Sequence, residues 1–560
     1  MKERKHKKTH HRIQRGALTK PLMEKSPSVY IAILCVWVAC VGILLFACGN
    51  VIYDPFTSGK NAHNTGKLLF TAILLAINCV MLAYMWLGSM KDFMFSLLFL
   101  CQKNKLNRAY DEILHLSNED TMSALNRRLG KAEGETPRVL LLYCTCNDFN
   151  ENALLACMQQ DYANHKTVIL DDSGDAAYQQ RIDEFANCYR VEVVRRANRI
   201  GFKAGNLNHF LQGRSDYDYF VVLDSDERIP SNFITEALKY YAYDEKVGVV
   251  QAAHKATKGG NLFQNLMGMS VKSNGKICQV MKNFYGSNAL IGHGMMISRA
   301  CFEAVKGFPQ VVAEDISFAI DVKNNDFRVL YAPNILCEEE FPVNYLCLKK
   351  RQAKWVQGNV EFMKKYNRSI TQSKMTWYEK LDVKLSHYNL PIIPMLSFFI
   401  ILATITLGFL GFDIGRYSLT IVGLMLLFLI SPLIPDFFVH GKTRNVLKLL
   451  GYAFLNFVVY ASLVPMMIGT VLLALFGKKA KFIVTPKEEK HISFKEALRG
   501  SLDSTLFALV VGLLTYATYF SLAPTVLIVL CCALTPIAIL VANLPAPNVE
   551  NKRFSTDATA

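Results

Sequence analysis

Long apolar runs bracket a polar middle section in this chain of 560 residues. Two runs long enough to cross a bilayer, at about Val29–Val51 and Leu68–Met90, come first. Phe93–Cys101 is apolar but too short to span, and we expect it at the membrane interface. From Leu106 to Trp377 charged residues occur throughout, as in a soluble domain. The pattern therefore predicts a folded domain inserted between membrane segments.

Further apolar runs follow the polar section. They are Pro391–Leu410, Leu419–Pro435, Val446–Phe476, Thr505–Phe520 and Pro524–Leu544. If the basic stretch Gly477–Lys490 is cytosolic, an even number of crossings separates it from the soluble domain, so one of the first three runs does not cross. Val446–Phe476 is the best candidate because it carries Lys448 and Asn456 and is interrupted by Pro465, which favours an amphipathic or re-entrant interfacial segment. The sequence thus predicts six spanning helices, two before the domain and four after it.

These runs divide the chain into sections. The predicted sections are a basic cytoplasmic tail (1–28), two transmembrane helices with an interfacial segment (29–105), a cytosolic domain (106–377), a membrane region with an interfacial helix (378–476), a cytosolic loop (477–502), two more transmembrane helices (503–545) and a tail (546–560).

The formal net charge of +16 comes from Lys and Arg residues that crowd beside the apolar runs. Cytosolic loops of membrane proteins carry such an excess, so we expect a multi-pass plasma-membrane protein whose central domain is cytoplasmic, and no binding of nucleic acid. Many of the 15 cysteines lie inside apolar runs, and Cys144 and Cys146 lack the spacing and the second pair of a zinc site. We therefore expect reduced thiols.

Inside the central domain, short β-rich runs alternate with helical stretches. The predicted strands are Val139–Tyr143, Lys166–Leu170, Arg190–Val194 and Tyr219–Leu223, and the predicted helices are Asn152–Gln160, Ala177–Asn187 and Leu207–Gln212. Such alternation predicts an α/β domain with a parallel sheet that is covered on both faces. Ligands bind sheets of this kind at the carboxyl ends of the strands.

Two carboxylates follow the fourth predicted strand, in Asp224-Ser225-Asp226. In an extended segment, side chains at i and i+2 face the same way, so both can converge on one divalent cation. Mg²⁺ or Mn²⁺ prefers such oxygen ligands and keeps positions for a diphosphate. A solvated loop is the alternative interpretation of this motif when it is taken alone.

The motif is not alone. Asp171 and Asp172 end another predicted strand, placed to hold a base or a ribose, and the small Gly205 between Lys203 and Asn206 lets backbone approach a ligand. The later motifs are Glu314-Asp315, before a helical stretch, and Arg351-Gln352-Ala353-Lys354-Trp355.

In this order and at these separations, the motifs resemble those of the inverting family 2 glycosyltransferases, in particular the processive branch of cellulose, chitin and hyaluronan synthases. The resemblance covers roughly Pro137–Trp355 and then the membrane region. It implies a GT-A-type domain that binds a UDP-sugar together with Mg²⁺ or Mn²⁺, a polysaccharide acceptor, and a lipid bilayer as surroundings. Self-association is left open.

The resemblance also implies roles on the donor side. These are Thr145, Asp171 and Asp172 for uridine, Lys203, Asn206 and Lys354 for the diphosphate, Asp224 for nucleotide and metal, and Asp226 for direct ligation of the metal. Lys354 stands where the family has Arg, and Arg351 where it has Gln; Lys keeps the charge but loses the bidentate fork. Ala313 replaces a family Thr without removing either following acid.

On the acceptor side, Asp315, with Glu314 beside it, resembles the general base that deprotonates the attacking hydroxyl. Attack opposite the leaving group would convert an α-linked donor into a β-linked product. Trp355 resembles the aromatic under the acceptor sugar, with Gln352 near it; an interfacial anchor is the alternative role of the tryptophan. His293 falls where the family lines the acceptor end, and a structural histidine is the alternative there.

A last match is Phe482-Ile483-Val484-Thr485-Pro486-Lys487, which resembles the gating-loop motif of bacterial cellulose synthases. It implies that Thr485 and Lys487 reach the nucleotide while the loop excludes water. A basic juxtamembrane loop is the alternative. The match favours transfer of glucose from UDP-glucose to a β-glucan that leaves through the protein's own channel. The alternatives are a chitin or hyaluronan type of synthase that uses UDP-GlcNAc, a non-processive enzyme acting on a lipid, and a transporter that only binds the nucleotide sugar.

Overall fold

The computed structural model describes residues 25–57, 65–257, 261–412, 419–441, 445–477 and 492–544. The strands in these residues are β1 (Val139–Thr145), β2 (His165–Asp171), β3 (Glu192–Arg195), β4 (Tyr219–Asp224), β5 (Val247–Ala256), β6 (Met295–Ser298) and β7 (Arg328–Glu339). They form one sheet in the order β3-β2-β1-β4-β6-β5-β7. Only β6 among the described strands runs antiparallel to its neighbours, so the sheet is mixed but mostly parallel. The predicted α/β class is confirmed.

Helices surround this sheet and continue into the apolar segments. In chain order they are α1 (Ser28–Thr57), α2 (Thr65–Leu114), α3 (Asn118–Leu129), α4 (Glu151–Met158), α5 (Ala176–Tyr189), α6 (Phe202–Leu211), α7 (Phe233–Tyr243), α8 (Leu262–Asn274), α9 (Val280–Tyr285), α10 (Arg299–Val305), α11 (Glu314–Asn324), α12 (Tyr345–Gln372), α13 (Trp377–His387), α14 (Asn389–Phe409), α15 (Leu419–Ile430), α16 (Ile434–His440), α17 (Val446–Ala461), α18 (Val464–Leu475), α19 (Phe494–Gly500), α20 (Leu502–Tyr519), α21 (Val526–Ala533) and α22 (Thr535–Ala542).

The central strands are apolar on both faces because each face is covered by helices. Leu141 and Tyr143 of β1 pack into a core with α4, α5 and α7, whereas Leu140 and Leu142 pack with α6, α10 and α11. Successive side chains of a strand point to opposite faces, so a strand buried on both sides reads as a continuous apolar run. This is why these strands could be predicted from the sequence.

By length and composition, several helices can cross a membrane. They are Ser28–Gly49, Thr65–Leu114, Asn389–Phe409, Gly423–His440, Val446–Leu475 and Leu502–Tyr519, and α21 with α22 forms a further pair that is bent by 41°. The predicted count of about six is confirmed for the described residues, and the chain is a membrane protein.

The two segments that the sequence predicts at the membrane interface are both helical in the structure. Phe93–Cys101 is a continuation of α2, because no Pro or Gly interrupts the helix after Gly88. Val446–Phe476 is also apolar enough to span. The segment is divided into α17 and α18 by a short turn, and Pro465 lies in the first turn of α18, where a helix tolerates proline. The interfacial placement of this segment stays a prediction.

Helix α12 joins the sheet domain to the membrane helices. Tyr345 and Leu348 share an apolar core with residues of α17 and α22, and the Tyr345 hydroxyl lies 3.0 Å from the hydroxyl of Ser462. The ammonium of Lys349 donates to Asp503 at 2.6 Å, at the start of α20. The motif that begins at Arg351 is therefore held at this junction.

Candidate active site

The carboxyl ends of three parallel strands place the predicted acidic residues along one edge. The parallel register pairs Thr145 of β1 with Asp171 of β2, and Cys144 with Asp224 of β4. Residues far apart in the chain thus become neighbours because strand ends align in a parallel sheet.

Both acids after β2 are engaged by arginines. Asp171 is buried, and its Oδ2 accepts a hydrogen bond from Nε of Arg195 at 2.6 Å. Arg196 donates to both oxygens of Asp172, at 2.8 and 2.6 Å. The Thr145 hydroxyl donates to Asp148 at 3.0 Å. The three predicted uridine contacts therefore come together, and the two acids already hold the surrounding loop in place.

Sequence reasoning missed this pair of arginines. Arg195 is the last residue of β3 and Arg196 follows it, and two adjacent arginines at a strand end opposite two adjacent aspartates were the available signal. Arg196 also donates to the carbonyls of Ile200 and Phe202, both at 2.7 Å. It therefore fixes the loop that leads into α6.

Lys203, in the first turn of α6, bridges the end of β4 and the turn at Gly292. Its ammonium donates to Asp224 and, at 2.8 Å, to the carbonyl of Gly292. Burial favours loss of its proton, but the Asp224 carboxylate outweighs this effect and the pKa of Lys203 is raised. Asn206, one turn later, is buried, and its Oδ1 accepts no hydrogen bond from the described chain. These side chains supply positive charge and polar atoms beside the first acid of the motif.

The loop between Asp224 and Asp226 is held by hydrogen bonds. The Ser225 hydroxyl donates to Asp148 at 2.6 Å, and the Tyr143 hydroxyl donates to the Ser225 carbonyl at 2.7 Å. Two carboxylates one residue apart, on a fixed loop at the end of a strand, are a donor set that fits a hard divalent cation.

The Glu314-Asp315 pair begins α11 and faces the same edge. A Cβ built on Gly292 would lie 3.3 Å from Oδ2 of Asp315, so this carboxylate sits against the glycine whose carbonyl binds Lys203. Burial and the neighbouring Asp315 raise the pKa of Glu314 to about 7. Burial also raises the pKa of Asp315, which Lys203 and other charges only partly oppose. A carboxylate with a raised pKa suits a general base.

Helix α12 contributes a cation and an aromatic platform. Burial lowers the pKa of Lys354, against the opposing effect of Glu314 and Asp224 nearby. The guanidinium of Arg351 lies 4.6 Å from the ring centroid of Trp355, whose side chain is 44% exposed. Gln352 is buried, and its Oε1 has no hydrogen-bond partner in the described chain. The structure thus brings Lys354 to the acids and leaves the Trp355 ring accessible.

His293 is buried between two carboxylates. Its Nε2 lies 2.9 Å from Glu339 and its Nδ1 lies 3.3 Å from Glu227. This arrangement favours the structural role over an acceptor contact. Thr485 and Lys487, with the rest of Phe482–Lys487, lie outside the described residues.

A mostly parallel sheet with acids and lysines at the carboxyl ends of its strands, packed on membrane helices, agrees with the GT-A-type domain that the motifs predict. Residues 219–432 match the family model described as "Glycosyl transferase family group 2". The match supports, for these residues, the resemblance to family 2 glycosyltransferases that the motifs predicted.

The comparisons also identify similar proteins. The chain is 26% identical over 208 residues to "Glucans biosynthesis glucosyltransferase H" of Shewanella baltica, an alignment that covers 35% of this chain and 28% of that relative. The mannosyltransferase PcManGT from Pyrobaculum calidifontis, solved with GDP-Man and Mn²⁺, is 18% identical with a TM-score of 0.46, over 72% of this chain and all of that one. S. aureus TarS 1–349 with UDP is 15% identical with a TM-score of 0.30, over 63% of this chain and 95% of that one.

Proposed function

We propose that the chain is an inverting glycosyltransferase that transfers glucose from UDP-glucose to a growing β-glucan and moves the polymer across the membrane through its own helices. The observation that carries the proposal is the position of the Asp315 carboxylate, 3.3 Å from where a Cβ on Gly292 would lie, because the Gly292 carbonyl accepts from the same Lys203 ammonium that pairs with Asp224. A base for the acceptor and charges for the donor thus lie at one strand edge.

On the donor side, Lys203 and Lys354 offer positive charge to the diphosphate, and Thr145 and Asn206 offer polar contacts beside it. Asp224 and Asp226 would hold Mg²⁺ or Mn²⁺, which neutralises charge on the departing UDP when bound. Asp171 and Asp172 act through the arginines they hold, because both carboxylates are already engaged.

On the acceptor side, the Asp315 carboxylate takes the proton of the attacking hydroxyl. The acceptor oxygen forms a bond to the anomeric carbon while the bond from that carbon to the diphosphate oxygen breaks. Attack from the face opposite UDP inverts the α-linked donor to a β-linked product. Glu314 lies beside the base, and burial together with the Asp315 charge raises the pKa of Glu314.

Trp355 would bind the face of the terminal sugar, since its ring is accessible and Arg351 packs on it. The buried Oε1 of Gln352 can accept from a sugar hydroxyl. The name of the Shewanella baltica relative and the Phe482–Lys487 motif support glucose and a glucan. The excess of Lys and Arg near the apolar segments supports a cytoplasmic catalytic domain in the plasma membrane.

The test is UDP release by the purified chain in lipid nanodiscs with a panel of UDP-sugars, followed by sizing and glycosidase digestion of the product. We expect UDP-glucose to be preferred, a long β-glucanase-sensitive product, and loss of both in Asp315→Asn. Release from UDP-GlcNAc alone would indicate a chitin or hyaluronan type of synthase, and a single sugar on a lipid would indicate a non-processive enzyme. Full activity of Asp315→Asn would overturn the assignment of the base.

A further inference from the structure

The residue after the Asp224-Ser225-Asp226 motif, Glu227, turns inward instead of facing the edge. Its side chain is fully buried. Its Oε1 lies 3.1 Å from Nε2 of His254 and 3.3 Å from Nδ1 of His293, and the two imidazole rings meet edge to face at 4.7 Å. A buried carboxylate is tolerated only when it is paired and hydrogen-bonded, so these contacts fix Glu227 in one position.

The second oxygen of Glu227 joins two backbone segments. Its Oε2 accepts the N–H of Gly294 at 2.9 Å and, in a longer contact of 3.4 Å, the N–H of Asp224. The first segment is the turn whose Gly292 carbonyl binds Lys203, and the second is the end of β4. One carboxylate thus sets the spacing between the proposed metal-binding loop and the turn next to the proposed base.

The turn is shaped around this carboxylate. Gly294 has a φ of +57°, and a Cβ at this position would lie 2.4 Å from Oε1 of Glu227 and 2.6 Å from Nε2 of His254. A side chain there is therefore excluded both by space and by backbone conformation. Only glycine lets the turn approach Glu227 so closely.

The contacts extend to the acceptor end. The second ring nitrogen of His293 lies 2.9 Å from Glu339, the last residue of β7. Helix α12, which carries Trp355, begins six residues after Glu339. A continuous set of contacts thus runs from the metal-binding loop through His293 to the strand that leads into α12.

A transition metal is the alternative occupant of this cluster. Glu227, His254 and Cys337 could converge on an ion, and so could His254, His293 and Glu339. However, His293 directs its two ring nitrogens to two different carboxylates, and these lie on opposite sides of the ring. The Glu227 Oε2 is occupied by backbone N–H groups. The geometry therefore favours a network of ion pairs and hydrogen bonds over a metal centre.

We propose that Glu227 is a positioning residue that couples the metal-binding loop of the site to its acceptor end through His254 and His293. This inference rests on the proposed function, because it assigns Glu227 a task in that reaction. Residues that hydrogen-bond to metal-binding groups hold those groups in position. Replacing such a residue typically weakens metal binding by about 10- to 100-fold.

The experiment compares Glu227→Gln with Asp218→Asn in the full chain in nanodiscs. Asp218 is a matched control because it is also buried and paired, with Lys131 at 2.6 Å and the Arg138 N–H at 2.6 Å, but it precedes β4 whereas Glu227 follows it. The readouts are Mn²⁺ binding in the presence of UDP, followed by the EPR signal of free Mn²⁺, together with kcat, KM and the melting temperature.

We expect Glu227→Gln to weaken Mn²⁺ binding by about 10- to 100-fold and to lower kcat, whereas Asp218→Asn lowers only the melting temperature. Equal Mn²⁺ binding in the two variants would reduce Glu227 to a structural residue and overturn the inference. About one zinc per chain that is lost in His254→Asn would overturn it in favour of a metal centre. If the wild-type chain binds Mn²⁺ and UDP but transfers no sugar, the proposed function fails, and this outcome is separate from the other two.

Discussion

Arg196 and Asp172 form a bidentate ion pair that is almost closed to solvent, with N–O distances of 2.8 and 2.6 Å and both side chains less than 10% exposed. The pair joins the end of β2 to the loop before α6, since Arg196 also binds the carbonyls of Ile200 and Phe202. The geometry of the loop before α6 thus depends on the Arg196 guanidinium.

Replacing Arg196 with alanine leaves a buried carboxylate without its partner. We expect a loss of about 3–5 kcal/mol in the free energy of unfolding. We also expect a higher KM for the donor, because the loop that leads into α6 and Lys203 becomes less ordered. Thermal unfolding and donor kinetics measure the two effects. The control is Lys166→Ala, which breaks the exposed pair with Glu192 and should cost about 0–1 kcal/mol. Similar losses in both variants would contradict the expectation.

The raised pKa values of Glu314 and Asp315 predict an acid limit to activity. The base must be deprotonated, so activity rises with pH through the range set by the pair, in which the pKa of Glu314 is about 7. Glu314→Gln removes the member of the pair whose pKa is about 7, so the rise should move to lower pH. Asp315→Asn should lower kcat by about 100-fold or more. Profiles of kcat against pH for the wild type and both variants test this, and an unchanged acid limb in Glu314→Gln would contradict it.

The lowered pKa of Lys354 predicts an alkaline limit to activity. Because burial lowers its pKa, the ammonium loses its proton at a lower pH than an exposed lysine does, and its charge on the diphosphate is lost as the pH rises. Lys354→Arg should keep activity and extend it to higher pH, since the guanidinium stays charged. Lys354→Met should raise the donor KM by about 10- to 100-fold, as expected for a charged hydrogen bond of about 1.5–3 kcal/mol. Identical alkaline limbs in wild type and Lys354→Arg would contradict this role.

The exposed ring of Trp355 leads us to expect that this residue affects product length. Trp355→Ala should shorten the polymer, because the terminal sugar loses its stacking surface, while binding of UDP stays unchanged. Trp355→Phe should restore most of the length, since it keeps an aromatic face. Gel filtration of the product and UDP titration give the two readouts, and Trp377→Ala, which removes another exposed tryptophan, is the control. Equal shortening in both alanine variants would point to a membrane-anchoring effect.

A buried ionic cluster around Asp382 connects the soluble domain to α2. Asp382 of α13 is fully buried, accepts the N–H of Ser287 at 2.7 Å, and lies 3.7 Å from Lys91 and 3.8 Å from Lys282. Burial alone would raise the pKa of Asp382, but the two lysines outweigh it and hold this pKa well below its ordinary range. The carboxylate therefore stabilises the fold at neutral pH, and this contribution is lost as the pH falls below the value of an unfolded aspartate.

Asp382→Asn should lower the free energy of unfolding by about 3–5 kcal/mol at pH 7, because two buried ammonium groups lose their partner. The difference from wild type should shrink as the pH falls. Asp326→Asn, which breaks an exposed pair with Lys374, is the matched control with a small expected effect. Unfolding of both variants in detergent at several pH values measures this, and a loss that does not depend on pH would contradict the ionic explanation.

The amino-acid sequence alone predicts the alternation of membrane and soluble sections, the first four strands of the sheet and the acids at the strand ends. It could do so because doubly covered strands and bilayer spans both appear as uninterrupted apolar runs, and because motif acids follow strand ends directly. It also predicted Asp224 and Asp226 as partners, since side chains at i and i+2 of an extended segment face the same way, and the family resemblance added Asp315.

Which polar side chains pair with each other is visible only in the folded chain. The pairing of Arg196 with Asp172, the contact of Asp315 with Gly292 and the burial of Glu227 between His254 and His293 join residues from different strands and loops. Such contacts depend on distances of a few ångströms between chain segments, and one-dimensional spacing does not contain them. The path of α2 past Cys101 likewise follows from packing against the domain core, because packing can continue a helix where hydropathy alone ends it.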